Sequence, residues 1–498
     1  MRSKVSPVVV LSILWLYTCK LTIATPESNR ANIQLPFLPT DDYSYGGEHE
    51  FTLRHIYHKG SHRYPSLHRR IDIRPNTVLA YESDGEPIPI QSSFHVRSNA
   101  LTIQRLSDRR QHVVDGILKA GELQGEALSF SPEAWTVDKI PGPNVTDKET
   151  VLAFAHMAAN AYVTLPRKGD WVDVGGGFNY TEDFGWETDG LRGHIFADTE
   201  NKTVIIGLKG TSLAFFDGTE TTDHDLLNDN LFGSCCCGQG GQYAWKKVCD
   251  CQTSTLTCDS TCLVQSLRKK SNYYHAARHL YHNVTALYPN ADIWLTGHSL
   301  GGVVSALLGQ TFGLPTLTYE AFPDALAAHR LGLPTPPGHR IGSQGVQHHS
   351  GIYHFGHTAD PVYVGSCNEF DSACTLAGYA FESKCHTGYN CTYDTVGDLG
   401  WGVSITNHRI GVVIKDVIER YNSTPTCKRD LDCSDCGEWT YFEGNQTRTA
   451  TSSSTTLAIS TSRTATTTTT STPTCLTPAW WGCRDETTTT GTTATSKV

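Results

Sequence analysis

Apolar residues recur at helical and strand spacings through the middle of the chain. Between Glu149 and Tyr162 they include Val151, Phe154 and Ala158, separated by three and four residues. This periodicity places them on one side of a helix and predicts that this side is buried.

The next apolar runs, over 193–198 and 203–208, flank a polar turn and predict a β-hairpin. The second run is almost entirely apolar, as is typical of a strand that is covered on both faces. An amphipathic pattern over 266–288 then predicts a second helix, which Pro289 and Asn290 end.

Strands and helices alternate farther along the chain. The predicted elements are a strand over 293–296, a turn over 297–301, a helix to about residue 310, strands over 315–319 and 352–355, and a final helix over 408–421. Such alternation predicts an α/β fold, in which helices cover a largely parallel sheet.

The two ends of the chain have a different composition. Arg2 and Lys4 precede an apolar stretch from Val5 to Thr18, whose length favours a cleaved signal peptide, although counting on to Ala24 gives enough residues to span a bilayer. Beyond about residue 425, Ser and Thr dominate, and such a segment cannot bury a core and is predicted to be disordered. The chain thus divides into an N-terminal signal-anchor or transmembrane segment (1–25), a lumenal N-terminal region (26–140), an α/β domain (141–425) and a Cys-containing Ser/Thr-rich tail (426–498).

Charge and cysteine content narrow the class of protein. The formal net charge is -10 and no basic stripe is interleaved with aromatic residues, which argues against nucleic acid as a partner. Cysteines occur in clusters without paired CxxC spacings, which favours disulfides in an oxidising lumen over a zinc site. We expect no metal and no cofactor. N-glycosylation sequons support a lumenal chain and lie at Asn144, Asn179, Asn201, Asn283, Asn390, Asn422 and Asn445.

A serine between two glycines follows the strand predicted over 293–296. Gly297 and Gly301 flank Ser299 in the pattern of a nucleophile elbow, a sharp strand-to-helix turn in which backbones approach closely. An elbow exposes the Ser299 hydroxyl and places the Leu300 amide at the start of a helix, where it can stabilise an anion. The alternative is a helix-capping serine between packing glycines.

An acyl transfer also needs a base and a group that orients it. In α/β-hydrolases the acid and then the histidine follow the serine. Asp360 follows a predicted strand in "HFGHTADPVYVG", and His408 begins the final predicted helix, so we predict this pair. A turn-capping aspartate and a helix-capping histidine remain alternatives for the two positions. Other candidate acids and bases are Asp324, His348, His349, His354, His357 and His386.

An oxyanion hole needs a second donor from a different strand end. The apolar strand in "IIGLKGTS" ends at Thr211, and we predict its backbone amide, assisted by its hydroxyl, as that donor. An ordinary turn is the alternative. Leu213, Phe215 and Phe216 follow among acidic residues and suit either a lid that opens on lipid or a packed loop.

These motifs together resemble those of the class 3 lipases, which have an α/β-hydrolase fold: GHSLGG after an apolar strand, a KGT strand end, Asp-Pro, and an Asn-His pair before a helix. The apolar N-terminus, the Cys-rich insertion, "HEFTLRHIYHKG", "YPSLHRRIDI" and "YEAFPDALAAHRL" resemble the fungal autophagic-body lipases more closely. The likeness covers about residues 1–425. One departure is that "TFGLPTLTYEAFPD" lacks the Pro-Arg-Val-Gly-Asn continuation that is common in secreted class 3 lipases.

The resemblance implies a serine carboxylic-ester hydrolase with Ser299 as nucleophile, His408 as base and Asp360 as the group that orients it. Its implied substrates are phospholipids and triacylglycerols in the membranes of autophagic bodies and endosomal vesicles. It also favours an uncleaved anchor, and hence a single-pass type II membrane protein that passes through the ER and Golgi to the endosomal or multivesicular-body membrane and then to the vacuole lumen. A non-lipid serine esterase and a non-enzymatic lumenal or wall glycoprotein are the alternative functions, and the oligomeric state is left open.

Overall fold

A mixed β-sheet of ten strands forms the centre of the fold. It is seen in a computed structural model of the chain. The residues described are 45–61, 68–73, 79–83, 86–89, 93–124, 130–162, 172–173, 190–211, 222–238, 247–269, 272–339, 341, 349–430, 433–444, 478–479 and 482–483.

The strands are β1 (Gly47–Lys59), β2 (His68–Asp72), β3 (Leu79–Ser83), β4 (Glu86–Pro89), β5 (Ser93–Leu106), β6 (Trp135–Pro143), β7 (Val172–Asp173), β8 (Leu191–Asp198), β9 (Thr203–Leu208), β10 (Gln252–Ser254), β11 (Thr257–Asp259), β12 (Asp292–His298), β13 (Thr316–Tyr319), β14 (Ile352–His357), β15 (Tyr389–Tyr393), β16 (Thr440–Phe442), β17 (Pro478–Ala479) and β18 (Gly482–Cys483). The α-helices are α1 (Gln111–Gln124), α2 (Lys148–Asn160), α3 (Thr222–Gly233), α4 (Ser260–Leu267), α5 (Tyr273–Leu287), α6 (Leu300–Phe312), α7 (Ala325–Arg330), α8 (Ala373–Leu376), α9 (Thr395–Leu399) and α10 (Ile410–Val412). Short 3₁₀ helices cover Pro132–Ala134 and Ile405–His408, and a π-helix covers Val413–Ile418.

The sheet has the strand order β15-β14-β13-β12-β9-β8-β1-β5-β6, with β2 paired to β1. Strands β9, β12, β13, β14 and β15 run parallel, whereas the neighbours from β9 to β6 pair antiparallel. The predicted α/β architecture is confirmed, and so is the hairpin, which is formed by β8 and β9. Strands β1, β5 and β6, which belong to the N-terminal region, extend the same sheet.

Helices cover both faces of the sheet. Because successive side chains of a strand point to opposite faces, Leu295 packs in the core that contains α5 and α6, whereas Trp294 packs in the core that contains α2 and the π-helix. Both residues are completely buried. Burial of a leucine of this kind stabilises a fold by about 1.5–3 kcal/mol.

Two predicted helices differ from the observed ones. The helix predicted over 266–288 is two helices, α4 and α5, because Asn272 caps α5 by accepting a hydrogen bond from the His275 N–H (3.0 Å). The final helix predicted over 408–421 is a 3₁₀ turn, a short α-helix and a π-helix in succession.

Seven disulfides join the 14 cysteines that lie in the described parts of residues 45–444. The predicted use of cysteine for disulfides is therefore confirmed. Several of them fasten the segment that follows the π-helix to the α/β domain. The pairs are Cys235–Cys436, Cys236–Cys258, Cys237–Cys249, Cys251–Cys262, Cys367–Cys374, Cys385–Cys433 and Cys391–Cys427.

The chain forms two compact units, Met1–Gly444 and Asn445–Val498. The first contains the large sheet. In the second, β17 pairs antiparallel with β18.

The predicted localisation as a single-pass type II membrane protein is contradicted. In the part of the chain that the structure describes, no helix combines the length and the apolar character that crossing a bilayer requires. The longest described helix, α5, has 15 residues, whereas a spanning helix needs about 20. The segment 1–25, on which the prediction of an anchor was based, lies outside the described residues.

Candidate active site

Ser299 is the single residue between β12 and α6, and it has a strained backbone conformation. Its φ of 53° and ψ of -128° lie in a region that residues with a side chain rarely adopt. A Cβ on Gly297 would overlap the backbone of Gly301, and a Cβ on Gly301 would overlap the Leu208 carbonyl. The two glycines are therefore needed because the chain segments touch, and the turn has the form of a nucleophile elbow.

Three predicted residues meet at this turn. The Nε2 of His408 lies 2.9 Å from the Ser299 Oγ, and its Nδ1 lies 2.7 Å from the Asp360 Oδ2. A carboxylate only accepts hydrogen bonds, so Nδ1 carries the ring hydrogen and Nε2 is left to accept the Ser299 hydroxyl hydrogen. This arrangement can remove a proton from Ser299.

The Asp360 side chain is held by a backbone N–H of the turn in which it lies, as well as by the imidazole of His408. Asp360 is fully buried, and its Oδ1 accepts a hydrogen bond from the Val362 N–H at 2.9 Å. Burial alone would raise the pKa of Asp360. The charge of His408 and the hydrogen bond that His408 donates outweigh the effect of burial, so the pKa of Asp360 lies below its usual value. Asp360 is consequently the ionised partner of His408.

A second histidine fixes the backbone of His408. His298 Nε2–H donates to the His408 carbonyl at 2.8 Å, and His298 Nδ1 accepts from the Tyr162 hydroxyl at 2.6 Å. Burial and the nearby His408 lower the pKa of His298 to about 3, so the ring stays neutral. His298 thereby ties the residue before the nucleophile to the residue that carries the base.

The predicted oxyanion donors lie at neighbouring strand ends. Thr211 follows β9 and Leu300 begins α6, directly after β12, the strand that pairs in parallel with β9. The Thr211 Oγ1 lies 2.6 Å from the Asp229 Oδ2 on α3, and both side chains are buried. The amide of Leu300 is at the positive end of a 13-residue helix, where negative charge is stabilised.

The alternative acid and bases occupy other places. Asp324 accepts hydrogen bonds from the Thr387 N–H (2.8 Å) and hydroxyl (2.6 Å) and lies 3.7 Å from His354. His386 lies 3.0 Å from the Ala321 carbonyl. His357 contacts Thr395 and Asn407, His349 bonds through its backbone to Gln104, and His348 lies outside the described residues.

Sequence reasoning missed four polar residues that support this site: His298, Tyr162, Asp229 and Glu320. For Asp229 a signal existed, since Asp225 and Asp229 are four residues apart and share a helical face. Nothing in the local pattern around Tyr162 or Glu320 marks either residue, because their contacts are made with distant segments.

Exposed apolar side chains lie in the stretch of chain between the acid and the base. Phe370 is 65% exposed, Leu376 68% and Val403 57%, and Val364 and Val396 are also exposed. Phe370 lies inside the loop that the Cys367–Cys374 disulfide closes. The predicted lid residues, Leu213, Phe215 and Phe216, lie outside the described part of the chain.

The predicted glycosylation sites differ in accessibility. Asn201, Asn283 and Asn422 are exposed, whereas Asn144 and Asn390 are half-buried. Asn390 lies within β15, and its backbone pairs with Lys428. Asn179 and Asn445 lie outside the described residues.

Comparison with known proteins places these features in a family. The family model "Lipase (class 3)" matches residues 232–321. A lipase named ATG15 from Passalora fulva is 58% identical over 445 residues, which are 89% of this chain and 66% of that protein. A lipase of the same name from Penicillium rubens is 51% identical over 465 residues, 92% of this chain and 68% of that protein. The chain thus spans about two thirds of the length of these relatives.

Solved structures that were matched are also lipases, at low similarity. Lip2 lipase from Yarrowia lipolytica has 17% identity and a TM-score of 0.25, covering 48% of this chain and 77% of that chain. Lipase II from Rhizopus niveus has 14% identity and a TM-score of 0.19, covering 41% and 62%. The identification depends on the curated relatives and on the family model. On that evidence the chain belongs to the ATG15 family of class 3 lipases and has their α/β-hydrolase fold.

Proposed function

We propose that this protein is a serine lipase in which Ser299 is the nucleophile, His408 the general base and Asp360 the group that orients it. The observation that carries the proposal is the continuous hydrogen-bonded chain from the Ser299 Oγ through His408 to Asp360, with distances of 2.9 and 2.7 Å. Such a chain is what activation of a serine hydroxyl requires.

The reaction follows from the direction of these bonds. His408 Nε2 takes the Ser299 proton as Oγ attacks the ester carbonyl carbon, and the amides of Thr211 and Leu300 stabilise the oxyanion. The resulting imidazolium gives its proton to the leaving alcohol or lysolipid, which leaves an acyl-serine. Water then attacks the acyl group with the help of the same base, releases the fatty acid and restores the serine.

Lipid esters are the substrates that we propose, specifically phospholipids and triacylglycerols. The exposed Phe370, Leu376 and Val403, in the chain between the acid and the base, support this choice, because exposed apolar side chains suit contact with a lipid surface. The word lipase in the names of both relatives supports it too. We further propose that the lipids belong to membranes of autophagic bodies and endosomal vesicles, which the shared name of the relatives alone supports.

The seven disulfides also support a protein that folds in an oxidising compartment. A non-lipid esterase would use the same Ser299 chemistry, so substrate choice has to separate it from a lipase. A non-enzymatic glycoprotein would have no use for that chemistry.

The test compares the purified full chain with the variant Ser299→Ala on phosphatidylcholine vesicles, triacylglycerol emulsions and soluble aryl esters of acetate and of sugars. Ser423→Ala, a change at an exposed serine, is the matched control. We expect wild type and the control to release fatty acid from both lipids, and Ser299→Ala to lose activity by about 10⁵-fold or more. Hydrolysis of the aryl esters alone would contradict a lipase, and equal rates for Ser299→Ala and wild type would contradict a serine hydrolase.

A further inference from the structure

Glu320 is the first residue after β13, in the segment that departs from the usual class 3 lipase sequence. Strand β13 lies between β12, which leads to the nucleophile, and β14, which leads to the acid. The side chain of Glu320 is completely buried, and its φ of 42° is one that glycine adopts more readily. A buried ionisable side chain at a strained strand end is therefore next to the catalytic machinery and has no part in the mechanism above.

The hydrogen bonds around Asp360 indicate which of the two carboxyl groups, that of Glu320 or that of Asp360, is neutral. The carboxyl group of Glu320 interacts electrostatically with that of Asp360, and both are buried. Two buried carboxyl groups that interact in this way favour a proton on one of them. Both Asp360 oxygens already accept N–H groups, from Val362 and His408. Both Glu320 oxygens are buried, and neither has a hydrogen-bond partner among the described residues. A buried negative charge on Glu320 would be uncompensated, whereas that on Asp360 is not, so the proton resides on Glu320.

The groups that face Glu320 favour its neutral form. The Nε2 of His357 lies 3.7 Å from the Glu320 Oε1, but this Nε2–H donates to the Asn407 carbonyl at 3.1 Å. Burial lowers the pKa of His357, so the ring is neutral. The other titratable groups that act on the site from β15 and from the turn after β14 are Tyr393, Tyr363 and Asp360.

The acidity of Glu320 agrees with this geometry. Burial and the Asp360 charge raise the pKa of Glu320 well above its usual value, against a smaller opposing effect of the His357 peptide group. A carboxylic acid in such a place keeps its proton at neutral pH.

We propose that Glu320 is a positioning residue that holds its proton against the Asp360 carboxylate and so weakens the attraction of Asp360 for the proton that His408 acquires. The Glu320 O–H neutralises part of the negative charge that would otherwise stabilise the imidazolium. His408 therefore stays unprotonated, and able to act as a base, at a lower pH than it would if Asp360 had no neutral acid beside it. The inference rests on the proposed function, because it assigns Glu320 a role through His408.

The kinetic test uses two variants at the same position. Glu320→Met keeps the approximate size and removes the donor, whereas Glu320→Gln keeps a donor that has no charge to gain or lose. We expect the acid limb of the kcat/KM profile for a soluble nitrophenyl ester to move up by about one pH unit in Glu320→Met. In Glu320→Gln the limb stays near that of wild type. Glu382→Gln is the matched control, since Glu382 is a buried carboxyl group bonded to Cys235 and Trp439.

Two outcomes overturn the proposal. The first is an acid limb of Glu320→Met that coincides with that of wild type. The second is an infrared difference spectrum, wild type minus Glu320→Gln at neutral pH, that lacks the carbonyl band of a protonated carboxylic acid. The spectrum decides the matter if Glu320→Met does not fold. It also separates the two proposals, because the band tests Glu320 even if the protein hydrolyses no ester.

Discussion

The substitution Thr211→Val tests how the oxyanion is stabilised. The Thr211 Oγ1 lies 2.6 Å from the Asp229 Oδ2. Burial raises the pKa of Asp229 well above its usual value, so at neutral pH this group is a carboxylic acid. The Thr211 hydroxyl donates to this carboxyl oxygen. A neutral acid is a weaker acceptor than an oxyanion, so the hydroxyl can turn its hydrogen to the oxyanion when that forms. Valine has nearly the shape of threonine, and it removes only that hydrogen and its oxygen.

The expected loss follows from the donors that remain. Removal of one donor from an oxyanion hole lowers kcat by about 10²–10³-fold. The amides of Thr211 and Leu300 are retained in the variant, so we expect the lower limit, about 10²-fold in kcat/KM, or about 2.7 kcal/mol of transition-state stabilisation. The KM changes little, because the oxyanion forms only after substrate has bound.

The assay is steady-state hydrolysis of a soluble nitrophenyl ester by wild type, Thr211→Val and Thr211→Ser. The serine variant keeps the hydroxyl and should remain within several-fold of wild type. Asp229→Leu keeps the Thr211 hydroxyl and removes only the acceptor that holds it, so its loss should be no greater than that of Thr211→Val. In the double variant the loss should be little more than that of Thr211→Val alone, because Asp229 acts through the Thr211 hydroxyl. The reasoning is refuted if Thr211→Val stays within threefold of wild type.

Three more substitutions test other parts of the site. Asp360→Asn can present an N–H to His408 Nδ1 and favour the wrong tautomer, so kcat/KM for the same ester should fall by about 10⁴-fold; a fall below tenfold contradicts the assigned role. Tyr162→Phe leaves the buried His298 Nδ1 without its donor, so urea denaturation should show a loss of about 1–3 kcal/mol in the free energy of unfolding, and an unchanged midpoint argues against this bond. Burial raises the pKa of Glu382 from 4.5 to about 7 in the folded protein, so the folded state binds more protons than the unfolded state between these values and its stability falls as pH rises through them. Between pH 5 and pH 7, Glu382→Gln should remove about 2 kcal/mol of this pH dependence, as measured by denaturant titrations at the two pH values. An equal change in the free energy of unfolding for both proteins excludes this contribution.

The arrangement of the nucleophile, acid and base was predictable because strand order constrains it. An apolar strand that stops at a glycine-flanked serine has few structural outcomes, and parallel strands bring their carboxyl ends to one edge. Asp360 after β14 and His408 after β15 then follow from their order in the chain. The hairpin of β8 and β9 was also predictable from the sequence, since its turn and its apolar runs are local features.

Features that depend on distant contacts were not predictable from one sequence. The break between α4 and α5 lies at Asn272, whose capping bond is local, yet the amphipathic pattern continues through it and hides the break. The π-helix over Val413–Ile418 carries an apolar face that also fits an α-helix. This face packs against α2, a contact with a distant part of the chain that the local pattern does not specify. The partners of Tyr162 and Glu320 are more than 30 residues away in sequence, so no local period could reveal them.

The sheet also explains why two neutral acids stand on either side of Ser299. Successive parallel strands β9, β12, β13 and β14 lead to Thr211, Ser299, Glu320 and Asp360, so these residues meet at one edge in that order. Asp229 contacts Thr211, the predicted oxyanion donor. Glu320 interacts with Asp360, which orients the base. If both ionised, two negative charges would stand near an oxyanion that is itself forming. Their usual pKa values of 3.8 and 4.5 are raised in the folded protein, so each favours the folded state less as pH rises above those values. The same two protons that suit the chemistry therefore give this edge of the sheet its greatest stability in acidic solution.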